Sequence, residues 1–253
     1  MTRQVLSYFI CCTKRSGSYL LCEALENTGL AGRPSEHIPT DVNPWHPGFT
    51  LENYRASFRV MIEKGTTGGI FGCKAMWPWF GDLVGKLEVL ARRETTPVDR
   101  LLAELFPNPH YIMLTRRDRI RQAISVARAE WTNVWKSTEA RYPRNRVEDL
   151  RIDPRTVDHE ARVIANIESS FDGFFDRYGI SPFRVVYEDL VERYEETALE
   201  ILDFLGIPHP AHVSFGERRL ERQWDAASDE LLRQYYAAKG FNPIGGAAPR
   251  SGG

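Results

Sequence analysis

The chain has 253 residues, of which 42% are apolar and 26% are charged, and its formal net charge is −1. This balance is typical of a globular protein with a sizeable core and not of a disordered chain. It excludes general attraction to nucleic acid or to an anionic membrane, so any positive site must be local. No apolar run of about 18 residues is present, and no membrane span is predicted.

The cysteines and the N-terminal sequence indicate a reducing compartment. The four cysteines show no CxxC spacing and are interpreted as small core residues: Cys11, Cys12, Cys22 and Cys73. The first residues lack the basic region, long apolar stretch and cleavage site of a signal peptide. A cytoplasmic location is expected.

Strands alternate with helices along the chain. The predicted strands are the apolar runs 5–12, 69–74, 111–115 and 183–187. Helical spacing predicts helices over 18–27, 52–64, 83–93, 97–106, from 118 toward 135, and over 157–178, 197–205 and 228–238. The order predicts an α/β fold in which helices flank a parallel sheet. Residues 1–242 are predicted to form one domain, 136–154 a mobile connection or lid, and 243–253 a disordered tail.

The first candidate anion site directly follows the strand 5–12 and opens a helix. It consists of Lys14, Arg15, Ser16, Gly17, Ser18 and Tyr19. Backbone N–H groups and a helix N-terminus at such a turn favour an anion, and the cations add charge. The stretch lacks the GxxxxGK[ST] spacing of a Walker A loop, and no strand ends in a convincing magnesium-binding aspartate. An ordinary strand-to-helix turn capped by serines is the alternative interpretation.

The second candidate anion site follows the strand 111–115. Arg116 ends that strand, and Ser125 lies nine residues later on the predicted helix, where both could contact one phosphate. A solvated basic turn would have the same composition. Both candidate sites follow strands, and ligands of parallel sheets bind at the carboxyl ends of strands. The sequence therefore predicts two anion sites at one edge of the sheet.

Six motifs extend this pattern over most of the chain. They are KRSGSYLL (14–21), GLAGRPSE (29–36), GCKAMW (72–77), RRDRIRQAIS (116–125), WTNVW (131–135) and LERQWD (220–225). As an ordered set they resemble the Stf0 family of bacterial sulfotransferases, whose known activity is on trehalose. The resemblance implies a P-loop-like, adenylate-kinase-like fold and a homodimer. It also implies metal-free transfer of a sulfuryl group from PAPS (3′-phosphoadenosine 5′-phosphosulfate) to a hydroxyl, with PAP as the second product.

The resemblance also implies roles for individual residues. The stretch 15–18 would hold the 5′ end of PAPS, with Lys14 and Tyr19 beside it. Arg116 and Ser125 would hold the 3′-phosphate, and Arg222 and Gln223 would line the nucleotide. Glu36 matches the catalytic carboxylate of the family.

Three of these assignments have alternatives. His37 competes with Glu36 as the base, because imidazole titrates near neutrality, and Glu36 is preferred on the motif match. Lys74 either lies near the sulfate or the acceptor, or extends its stem along the edge of the core. Trp131 and Trp135, spaced i and i+4, are core residues or a platform for a sugar.

The sequence departs from the usual family pattern at three places. Lys14 stands where Gln is common, Tyr19 where Ser or Thr is common, and His37-Ile38 where two aromatic residues are common. Since the last pair faces the expected acceptor, the acceptor stays open as a sugar or a glycolipid precursor. A metal-dependent P-loop-like kinase and a catalytically silent nucleotide- or sugar-binding module are the alternative functions. Neither nucleic acid nor stable membrane insertion is expected.

Overall fold

The computed structural model describes residues 6–37, 50–136, 138, 145–220 and 224–241. These residues form two compact units. The first comprises the described residues up to 117 together with 166–219, and the second comprises those of 118–165 and from 220 onward. The predictions for 243–253, and for most of 137–144 within the expected lid, lie outside the described residues. The single domain over 1–242 stays a prediction.

A five-stranded sheet organises the first unit. Its strands are β1 (Leu6–Cys12), β2 (Thr66–Thr67), β3 (Ile70–Met76), β4 (Pro109–Thr115) and β5 (Phe183–Val186). The order is β2-β3-β1-β4-β5, and only β2 is antiparallel to its neighbour. Every residue of the central strand β1 is buried, as its unbroken apolar run requires. The predicted α/β fold with a mainly parallel sheet is confirmed.

Seven helices of the first unit flank or extend this sheet. They are α1 (Ser18–Asn27), α2 (Leu51–Gly65), α3 (Trp77–Glu94), α4 (Val98–Leu105), the later part of α6 (Pro154–Tyr178), α7 (Tyr187–Glu192) and α8 (Tyr194–Phe204). On one face of the sheet, aromatic rings of β1, α3 and α6, with Phe106 directly after α4, form the core. Phe9 is at its centre, with the ring of Phe106 at 4.8 Å and that of Phe80 at 5.4 Å. On the other face, the buried Tyr8 donates a hydrogen bond to the Ala31 carbonyl after α1.

Several boundaries differ from the sequence prediction, and three of them are informative. Helix α3 begins at Trp77 instead of residue 83, because Pro78 is well suited to a first helical turn. Strand β5 ends at Val186, so that Tyr187 begins the short helix α7. Trp135 lies beyond the helix that contains Trp131, which ends at Thr132 before a left-handed Asn133. The two tryptophans therefore do not share a helix face.

The second unit is helical where the structure describes it. Helices α5 (Arg119–Thr132) and α9 (Ala226–Ala238), the start of α6 and a 3₁₀ turn, Val147–Asp149, enclose a small apolar core. Asp225 caps α9, and the Arg128 guanidinium donates to both of its carboxylate oxygens at 2.7 and 2.8 Å. Among the described helices of the protein, none is long and apolar enough to cross a membrane.

Candidate active site

The parallel strands of the first unit end at one edge of the sheet. Because β1, β3, β4 and β5 run in the same direction, the residues after Cys12, Met76, Thr115 and Val186 meet there. This is the edge at which ligands of such sheets bind. The candidate residues of the first unit form two groups at this edge.

The loop between β1 and α1 is held by a hydrogen bond within the loop and by its backbone conformation. The buried Ser16 hydroxyl donates to the Thr13 carbonyl at 2.9 Å, and Arg15 and Gly17 take left-handed conformations with φ of 59° and 91°. The Ser18 hydroxyl contacts the Cys12 thiol, whose pKa is raised by burial. Among the residues that the structure describes, no side chain caps the N-terminus of α1. A helix N-terminus of this kind favours an anion, and the anion site at this turn stays a prediction.

Position 17 requires a glycine for two reasons, namely its left-handed φ and the close packing of the Tyr187 ring. A Cβ atom on Gly17 would lie 2.3 Å from Cδ2 of the Tyr187 ring, far inside van der Waals contact. Tyr187 is the first residue of α7, directly after β5. The close approach of this ring fixes where the loop passes the end of β5.

Arg116 joins the end of β4 to the same loop. Its Nη1 donates to the Arg15 carbonyl at 3.4 Å, and its guanidinium lies 4.7 Å from the centre of the Tyr187 ring. Glu188 lies 3.8 Å from its Nε, and the Arg116 side chain is only 10% exposed. We call Arg15, Gly17, Arg116 and Tyr187 the loop cluster.

The second group, the carboxylate cluster, consists of Tyr19, Glu36 and Lys74. Ser35 forms an isolated parallel bridge with Cys73, and the Lys74 backbone N–H donates to the Ser35 carbonyl at 2.8 Å. This bridge places Glu36 beside β3. The Lys74 ammonium donates to Oε1 of Glu36, and the Tyr19 hydroxyl donates to the same oxygen at 3.3 Å. The ammonium also lies 4.0 Å over the Tyr19 ring.

Burial and charge act against each other at Lys74, whose side chain is 4% exposed whereas that of Glu36 is 34% exposed. Burial alone would lower the pKa of the ammonium, but Cys12 and the hydrogen-bonded Glu36 outweigh it and raise the pKa above 10.5. At the Tyr19 hydroxyl, by contrast, burial raises the pKa. At neutral pH both groups are therefore protonated donors to the carboxylate.

His37 lies apart from the carboxylate cluster. Its ring centre is 6.3 Å from that of Phe71, a residue of the aromatic core. Its backbone hydrogen-bonds the buried Cys73 thiol, whose pKa burial raises to about 12. The structure thus brings Glu36, and not the His37 ring, into contact with Lys74.

The other predicted site residues are more scattered. Lys14 is exposed next to the loop cluster in sequence. Ser125 lies part-exposed on α5 in the second unit, and its pairing with Arg116 stays a prediction. Arg222 and Gln223 lie outside the described residues. Within the described part of the chain, no group of three or more His, Cys, Asp or Glu side chains is placed to hold a metal ion.

Comparison with known proteins places this chain in a family. The sequence model of the Stf0 sulphotransferases matches residues 7–238. The chain belongs to the Stf0 sulphotransferase family. Trehalose 2-sulfotransferase from Mycobacterium tuberculosis is 27% identical over 94% of this chain and 97% of its own length. The enzyme of that name from Mycolicibacterium smegmatis is 26% identical, over 93% and 96%.

A solved sulfotransferase domain from the curacin biosynthetic pathway resembles the chain only weakly. It is 15% identical and superimposes over 95% of this chain and 99% of its own, with a TM-score of 0.47. A similarity of this size says nothing about the site of this Stf0 sulphotransferase. The site is described only by the contacts given above.

Two site residues of this Stf0 sulphotransferase were missed from the sequence. Tyr187 was interpreted as the last residue of a strand, and neither it nor Glu188 was assigned to a site, yet both contact Arg116. The available signal was Gly17, since a glycine in a turn indicates either a left-handed φ or a closely packed neighbour. Nothing in the local sequence identifies that neighbour.

Proposed function

We propose that this Stf0 sulphotransferase moves a sulfuryl group from PAPS to a hydroxyl of trehalose or a related saccharide. The observation that carries the proposal is the carboxylate cluster. A partly exposed carboxylate is held by two protonated donors, one of them a buried ammonium, at the strand ends beside the uncapped N-terminus of α1. A base and an anion site are thereby close together.

The loop between β1 and α1 is suited to the 5′ end of the donor. The N-terminal N–H groups of α1 and the positive end of its dipole favour an anion, and the part-exposed Arg15 adds a planar charge. In the same proposal Ser16 supports the turn through Thr13, and Arg116 binds the 3′-phosphate. Ser125 is assigned to that phosphate by the resemblance alone. Arg222 and Gln223 are assigned to the nucleotide by the resemblance alone.

Glu36 is the proposed general base. Both donors contact Oε1, and no described residue donates a hydrogen bond to Oε2. Oε2 can therefore accept the proton of the attacking hydroxyl while Oε1 keeps the carboxylate oriented. The acceptor oxygen forms a bond to sulfur, the bond from sulfur to the PAP oxygen breaks, and the proton goes to Glu36. Such in-line transfer depends on positioning and on charge stabilisation, which Arg15 and Lys74 supply.

The acceptor is proposed from the relatives, both of which are named trehalose 2-sulfotransferases. His37 and Ile38 depart from the usual family residues beside the expected acceptor, so a related saccharide or a glycolipid precursor belongs to the same acceptor class. A homodimer, implied by the resemblance, and a cytoplasmic location, expected from the sequence, are part of the proposal. Light scattering after size exclusion tests the dimer.

Sulfate transfer from ³⁵S-labelled PAPS tests this function. Trehalose, other disaccharides, glycolipid headgroups and phenols serve as acceptors, each with and without EDTA. Labelled saccharide that forms equally well in EDTA is the expected result. If ATP with magnesium raises the melting temperature and PAP does not, the protein is a kinase instead. If PAP binds but no acceptor is labelled, a silent binding module is indicated.

A further inference from the structure

Tyr187 touches two segments that are far apart in sequence. Its ring packs against Gly17 in the loop after β1 and lies 4.7 Å from the guanidinium of Arg116 at the end of β4. Tyr187 itself stands at the end of β5. One side chain therefore connects three of the parallel strands at the edge where the donor is proposed to bind.

The contact with Gly17 restricts the loop. With φ at 91°, Gly17 is the residue before the first turn of α1, so a rotation there redirects the N–H groups of the helix. A Cβ atom at Gly17 would lie 2.3 Å from Cδ2 and 2.9 Å from Cε2 of Tyr187, so the ring occupies the space beside the glycine. The ring thus limits how far the loop can move toward β5.

The contact with Arg116 restricts the second segment. The guanidinium is held between the Tyr187 ring, the Glu188 carboxylate at 3.8 Å and the Arg15 carbonyl at 3.4 Å. Arg15 is itself left-handed, a conformation that costs free energy in a non-glycine residue. Arg116 therefore helps to hold the strained turn, and Tyr187 stacks on Arg116 from one side.

We infer that Tyr187 is a positioning residue that couples the two loops, so that binding of both ends of the donor depends on its ring. The inference rests on the proposed function, in which these loops bind PAPS. No described residue hydrogen-bonds the Tyr187 hydroxyl, so the ring and not the hydroxyl carries the effect.

Binding of PAP and of 5′-AMP, which lacks the 3′-phosphate, tests the coupling by calorimetry. We expect Tyr187→Phe to bind both within about twofold of wild type, because the ring is kept. We expect Tyr187→Leu to bind PAP roughly 10- to 100-fold more weakly, and 5′-AMP more weakly by a smaller factor. Unchanged PAP binding by Tyr187→Leu overturns the inference. Unchanged 5′-AMP binding also overturns it, because Tyr187 would then serve the second loop alone.

A double-mutant cycle on melting temperature examines the ring contact without any ligand. Gly17→Ala, Tyr187→Leu and the double variant are compared, and the strain from φ is present in both alanine variants. The double variant should lose less than the sum of the two single losses, because leucine leaves room for the new Cβ. Additive losses overturn the contact. If wild type does not bind PAP, the proposed function fails while the cycle still reports on Tyr187.

Discussion

The loop cluster and the carboxylate cluster lie at the same edge of the sheet but are held in different ways. The loop cluster depends on backbone conformation and on one aromatic ring, with Gly17 pressed against Tyr187 and Arg15 in a left-handed turn. The carboxylate cluster depends on buried charge, with the Lys74 ammonium 4% exposed and paired with Glu36. In the proposed function, the first binds the anionic end of the donor and the second supplies the proton acceptor.

This difference predicts which kinetic constant each cluster controls. Backbone N–H groups bind an anion throughout the reaction, so damage to the loop cluster should weaken donor binding. A base acts only as the hydroxyl loses its proton, so damage to the carboxylate cluster should lower kcat with donor affinity unchanged. Each prediction below tests this division.

Glu36→Gln is expected to have the largest effect. The amide keeps the size of the side chain but cannot accept a proton, so kcat should fall about 10²- to 10⁴-fold. PAP affinity should stay at the wild-type value. Turnover of labelled PAPS and calorimetric PAP binding are the two measurements. His37→Gln is the comparison variant and should cost far less, and the reverse order would assign the base to His37.

Lys74→Met removes the buried charge and keeps the length of the side chain. The charge that develops on the transferred group loses a fixed cation, so kcat should fall about 10²- to 10³-fold. Lys86, also 4% exposed and paired with Asp82 on α3, provides a matched control in Lys86→Met, which should keep its activity. A loss of PAP affinity in Lys74→Met, with kcat intact, would move Lys74 to the donor side of the comparison.

The contribution of Lys74 to stability should not depend on pH near neutrality. A raised pKa means that the ammonium and its contribution to stability persist below 10.5 and are lost only as the pH rises through the higher folded value. The melting-temperature difference between wild type and Lys74→Met should therefore be constant from about pH 6 to about pH 9. A difference that shrinks within that range contradicts the raised pKa.

Much of the architecture could be predicted because its signals are local. The buried run ending at Cys12 and the helix Ser18–Asn27 follow from apolar periodicity and glycine turns. The contacts of the site are not local. Glu36 meets Lys74 only because Ser35 pairs with β3, and Tyr187 meets Gly17 only after the sheet has formed. Motif resemblance singled out Glu36 and Lys74, but not that they form an ion pair.

Arg116→Lys tests the loop cluster with the charge preserved. Lysine has no planar group that could stack on Tyr187 while also donating to the Arg15 carbonyl, so PAP should bind about tenfold more weakly. At saturating PAPS, kcat should remain near that of wild type. Titration of PAP and a PAPS saturation curve give both quantities. A fall in kcat at saturation would show that the two clusters are not independent.

Tyr19→Phe should have the smallest effect. It removes the 3.3 Å hydrogen bond to Oε1 of Glu36 and the contact of the hydroxyl with Lys74, but keeps the ring beneath the Lys74 ammonium. One such bond contributes about 0.5–1.5 kcal/mol, so kcat should fall roughly two- to tenfold with PAP affinity unchanged. Because the pKa of Tyr19 is raised above 10.0, its hydroxyl remains a donor, and the ratio of wild-type to variant kcat should be constant from about pH 6 to about pH 9. A loss as large as that of Lys74→Met would mean that the hydroxyl, and not the ammonium, orients the carboxylate.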